Sequence, residues 1–65
     1  MIKVADTFPT IKALIEEVEK LKMKKLEISD KGLTGNIKGK LGDKNINISY
    51  MKENENFVIT FIESK

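Results

Sequence analysis

Along this chain the spacing of apolar residues changes once, near residue 25. Up to that point they recur at helical spacing, as Phe8, Ile11, Leu14, Ile15, Val18 and Leu21. Beyond it they alternate one in two: Leu26 and Ile28, then Leu33, Ile37 and Leu41, then Ile46, Ile48 and Tyr50, then Phe57, Ile59 and Phe61. The first spacing buries one face of a helix; the second buries one face of a strand. The pattern predicts an α+β fold in a single domain over 1–65. One amphipathic helix over about 9–24 packs on a four-stranded antiparallel meander over about 25–29, 33–41, 44–51 and 56–63. A further short strand at 2–4 is a candidate.

Local chemistry supports the helix. Pro9 suits a first helical turn, and Asp6, Thr7 or Thr10 can cap it. Glu16 and Lys20 stand four residues apart in the favourable order, and Lys20, Lys22, Lys24 and Lys25 gather where cations suit the helix dipole. Residues 11, 14, 18 and 21 also have coiled-coil spacing, but over too short a stretch to make a seam.

Three turn signals divide the second half: Asp30-Lys31-Gly32, Gly42-Asp43 and Glu53-Asn54. A two-residue loop with Gly first suits a type II′ hairpin. A loop at Gly42-Asp43 sets Leu41 against Lys44, Gly39 against Ile46, Ile37 against Ile48 and Gly35 against Tyr50. Each pair then falls on the helix-facing side, so turn and alternation agree. Gly35 and Gly39 lack the spacing of a phosphate-binding loop. Their reading is structural, with Tyr50 covering Gly35 across the strands. A loop at Glu53-Asn54 sets Tyr50 against Phe57, Ile48 against Ile59 and Ile46 against Phe61.

The last strand is then apolar on both faces, with Val58 and Ile62 turned outward beside Met51. An edge of that kind invites pairing, and something should cover it. If the segment 2–4 does so, the order is β-α-β-β-β-β. That order is similar to the cystatin-like arrangement, a likeness of fold alone. The Gln-x-Val-x-Gly run of cystatin-type protease inhibitors has no counterpart here, because the chain has no Gln.

Composition narrows the chemistry. With no His and no Cys, the usual general base, thiolate and soft metal ligands are missing. No spaced acidic loop suggests calcium. The expectation is a protein that is not an enzyme and carries no cofactor or metal. No stretch approaches the length of a membrane span and the N-terminal residues show no apolar signal core, so a cytoplasmic protein is expected. A core this small gains from a partner subunit.

The expected function is therefore a non-catalytic protein-interaction module that self-associates through the last strand and its outer face, using Met51, Val58, Thr60 and Ile62. The alternative is nucleic-acid binding on the Lys/Asn-rich sheet face formed by Lys25, Asn36, Lys38, Lys40, Asn45 and Asn47. The net charge of +2 does not demand it, Arg is absent, and the alternation points Tyr50, Phe57 and Phe61 away from that face.

Overall fold

The computed structural model describes residues 2–65. Its elements run β1 (Thr7–Phe8), α1 (Ile11–Glu19), β2 (Lys24–Asp30), β3 (Thr34–Leu41), β4 (Lys44–Glu53) and β5 (Asn56–Ser64). The strands form one antiparallel sheet in the order β1-β5-β4-β3-β2, with the helix on one face. The α+β class and the four-strand meander are as the periodicity predicts. The fifth strand lies at Thr7–Phe8, and residues 2–4 form no strand.

The helix is shorter than its apolar stripe. Thr10 is the N-cap, its hydroxyl accepting from the Ala13 N–H at 3.0 Å, so Pro9 precedes the helix instead of opening it. At the other end Lys22 takes a left-handed conformation, φ 59°, after its N–H donates to the Glu19 carbonyl at 3.0 Å. The chain reverses there and carries Met23 into the core. Lys22, Lys24 and Lys25 consequently lie beyond the helix, and Lys20 pairs with Glu17 at 3.3 Å, not with Glu16.

Leu14 and Val18 on the helix, Ile37 on β3, Ile48 and Tyr50 on β4 and Ile59 on β5 make the centre of the core. Ile2 and Met23 close it at the sides. The β3–β4 register is the predicted one at all four pairs, and positive φ at Gly42 fits the II′ turn. A Cβ on Gly35 would strike the Tyr50 hydroxyl, so the ring does cover that glycine. Gly39 is roofed by Met23 and Leu26 in the same way.

The β4–β5 register differs from the expectation. The loop is Asn54-Glu55, both residues left-handed as a type I′ turn requires, and Tyr50 pairs with Ile59. Thr60 is then an extra residue in β5, a bulge after which Ser49 faces Phe61 and Ile48 faces Ile62. The bulge exchanges the two faces. Phe61 points outward, 53% exposed, and Ile62 packs against the core.

The apolar edge of β5 is covered, by a segment slightly later than expected. Thr7 and Phe8 pair with Val58 and Phe57, the Ala5 N–H donates to the Ile59 carbonyl at 2.8 Å, and the Ile59 N–H donates to the Asp6 carbonyl at 3.0 Å. At the other edge β2 is open. All seven of its residues are exposed, with Leu26 (37%), which covers Gly39, and Ile28 (47%) partly open on the helix side.

Candidate functional site

Pairing across the strands orders the helix-free face into rows. At one end Met51 pairs with Val58, which pairs with Thr7. The next row runs Ser29, Asn36, Ser49, Phe61; the next Glu27, Lys38, Asn47, Glu63; the last Lys24, Lys40, Asn45, Lys65. The face grades from apolar to cationic along the strands. Its middle is knit by the Asn36 side-chain amide, which donates to Ser49 Oγ at 2.9 Å and Asn47 Oδ1 at 3.3 Å.

The two sequence-predicted sites fare differently. Lys25, Lys38, Lys40, Asn45 and Asn47 line one groove of about 300 Å³, joined by Lys65, and Asn36 lines an adjoining depression of about 270 Å³. Of the residues expected on the outer face of the last strand, Met51 and Val58 do share that face, with Val58 half-buried. Thr60 occupies the bulge, its hydroxyl donating to the Ser49 carbonyl at 3.3 Å. Ile62 is a correction: it lies on the helix side against the core, and Phe61 takes the outer place. Phe61 and Lys65 are the residues that the alternation does not single out. A bulge in a strand apolar at both parities leaves no mark in the spacing.

Lys24 and Lys40 face each other directly across β2 and β3, an arrangement of like charges that opposes pairing. Lys25 beside them holds φ 55°, the left-handed place that glycine normally takes in a bulge. The ion pairs found among the described residues are Lys20 with Glu17 and Lys65 with Glu63, the latter at 3.4 Å. Lys25 and Lys40 line the groove and Lys24 stands opposite Lys40, and none of the three forms an ion pair among the described residues.

Under the helix, the Tyr50 hydroxyl is buried without a hydrogen-bond partner. Burial, and then the Asp30 carboxylate, push its pKa above the usual 10.0. Below pH 10 both folded and unfolded chains hold the proton. As the pH rises from 10.0 through the higher folded value, the unfolded chain releases it first and stability falls. Tyr50→Phe should remove that part of the alkaline loss. At neutral pH it should be neutral or stabilising by about 1 kcal/mol, since it deletes an unsatisfied group. Denaturant titrations of parent and variant at neutral pH and above pH 10 measure both, with the lysine contributions cancelling in the difference. An equal alkaline loss in the variant would remove Tyr50 as the cause.

No helix among the described residues is long and apolar enough to cross a membrane. Comparison with protein-family models, curated proteins and solved structures finds no match to this chain.

Proposed function

We propose that this protein is a non-catalytic protein-interaction module that pairs with a second copy of itself along the open edge of β2. One observation carries this reading: a seven-residue edge strand exposed throughout, with Leu26 and Ile28 partly exposed on its helix side. A strand in that state presents unpaired backbone groups and an apolar strip together, the two elements of strand addition.

The order of charges favours a second copy as the occupant. β2 begins with Lys24 and Lys25, has Leu26 and Ile28 in the middle of its helix side, and ends with Asp30. Two copies running antiparallel about Glu27 would set Leu26 of each against Ile28 of the other. The basic end of each strand would lie alongside the acidic end of its mate, Lys24 on the outer face and Asp30 on the helix side. The two Glu27 would meet on the outer face, each already paired across the sheet with Lys38. The joined sheet would share one core, which suits a domain this small. The last strand is a poorer seat for such pairing, because β1 and Ala5 occupy its edge from Phe57 to Ile59 and Ile62 is turned inward.

Light scattering over a concentration series tests the proposal. The parent should move from monomer to dimer. Ile28→Lys should weaken association at least tenfold with an unchanged circular dichroism spectrum, as the side chain is already about half exposed. Met51→Lys with Val58→Lys, on the opposite face, should leave the dimer intact. A parent that stays monomeric throughout would overturn self-pairing. Loss of association in the Met51/Val58 variant alone would move the interface to the outer face of β5.

A further inference from the structure

The β2 pairing would meet the outer face of the sheet only at its β2 rim, and that face carries a second kind of chemistry. We infer that this face binds single-stranded nucleic acid, with the lysines of the groove holding phosphates and Phe61 stacking on a base. Three features fall together on this face.

The first is the groove itself, whose lysines come from separate elements: Lys25 from β2, Lys38 and Lys40 from β3, and Lys65 from the end of the chain. Its two carboxylates have cationic neighbours: Glu63 is ion-paired with Lys65, and Glu27 lies across from Lys38. Within one protomer Lys24, Lys25 and Lys40 have no ion-pair partner among the described residues. Lys24 and Lys40 stand in direct cross-strand opposition, which an anion between them would relieve.

The second feature is Phe61. The bulge at Thr60 puts its ring on this face, more than half exposed, one row from the groove. An exposed aromatic on a sheet face is the element that single-strand readers use, because every base has a face to stack on. Phe61 lies two strands from Lys38 and Lys40, and one row from Lys38. Strand spacing and rise place its Cα roughly 12 Å from that of Lys38. An extended strand could cover that distance while holding a base and a phosphate together.

The third feature is the set of polar side chains in these two adjoining rows. Asn36, Asn47 and Ser49 form a small, part-buried hydrogen-bonded cluster beside the ring and Lys38, in which the Asn36 Oδ1 and the Asn47 side-chain N–H groups are not used by the bonds within it. Amides of this type pair with base edges. An acidic peptide could answer the lysines but would leave the ring and the amides without a role.

Fluorescence anisotropy with a labelled oligothymidylate of about ten nucleotides, at about 50 mM salt, tests the inference. Binding should weaken steeply with salt. Lys40→Ala should lower the slope of log affinity against log salt by about 0.7, the contribution of one phosphate contact on a single strand. Phe61→Ala should weaken binding fivefold or more and leave that slope unchanged. A duplex of the same length should bind more weakly, since its bases are not free to stack. No binding at low salt would overturn the inference. So would a Phe61→Ala variant that binds like the parent, or full displacement by polyglutamate at matched charge. Light scattering on Phe61→Ala and Lys40→Ala reads β2 pairing separately, and it should be unchanged whichever way binding falls.

Discussion

Gly35→Ala should destabilise the protein by about 3 kcal/mol, a large share of the total stability expected for a domain of this size. Gly35 is buried in β3, directly opposite Tyr50 on one side and Asp30 on the other. An added methyl would collide with the Tyr50 ring and hydroxyl, and would stand 2.7 Å from the Ser29 carbonyl oxygen. Neither neighbour can retreat easily. The Tyr50 ring is 1% exposed and held edge-on by Phe57 at 6.0 Å, and Ser29 is fixed by its ladder to Asn36. Gly39→Ala is the internal comparison. Its new methyl would meet Met23 Cβ at 3.0 Å and the side-chain ends of Leu26 and Met23 at 3.1 and 3.2 Å, and the flexible ends can shift. That change should cost about 1 kcal/mol. Urea titrations of the two variants give the ranking. Adding Tyr50→Leu to Gly35→Ala should recover part of the loss, a coupling that a double-mutant cycle isolates. A Gly35→Ala variant as stable as the parent would mean that Tyr50 does not lie over this glycine.

The bulge makes the second large prediction. Ile62→Lys should unfold the protein or cost about 3 kcal/mol, whereas Phe61→Lys should change stability by about 0.5 kcal/mol or less. Ile62 faces Ile48, a fully buried residue, and its replacement would drive an ammonium group under the helix. Phe61 faces Ser49 on the open side, where a lysine stays in water. An uninterrupted ladder from the Glu53-Asn54 loop would give the opposite result, with Phe61 inside and Ile62 outside. Thermal unfolding of the two single variants, followed by circular dichroism, therefore reports the register of β5 directly. Equal damage from both would place both side chains in the core.

How far the residues alone lead is clearest from the two hairpins. For β3 and β4, the Gly42-Asp43 turn and the alternation of Ile37, Ile46 and Ile48 constrain the same register independently, and the structure has that register. For β4 and β5, the loop sits one residue later than Glu53-Asn54. That displacement moves each partner by two positions and leaves the faces unchanged. The bulge at Thr60 is what exchanges them, and Phe57, Ile59 and Phe61 continue the even period straight across it. With Val58 and Ile62 apolar as well, the strand reads equally well in either phase. The candidate groove was legible because its lysines and asparagines alternate on β3 and β4. The aromatic beside it was not, because its side of the sheet depends on that one extra residue.

Residue patterns along the chain suffice for the class of fold, the presence of the one helix before the meander, the meander's four strands, one hairpin register and the glycine under Tyr50. These follow from local geometry: side-chain period, turn torsions and the absence of a Cβ. Tertiary structure alone decided where the helix stops, which strand is left open and which of Phe61 and Ile62 is buried. Each of these is a question of filling volume. The helix ends where Met23 enters over Gly39, and β2 lies outside the buried core that takes Ile37 from β3. β5 gains a residue so that Ile62 meets Ile48 while Ile59 keeps Tyr50. Packing is set by all elements at once, and no single segment carries that information.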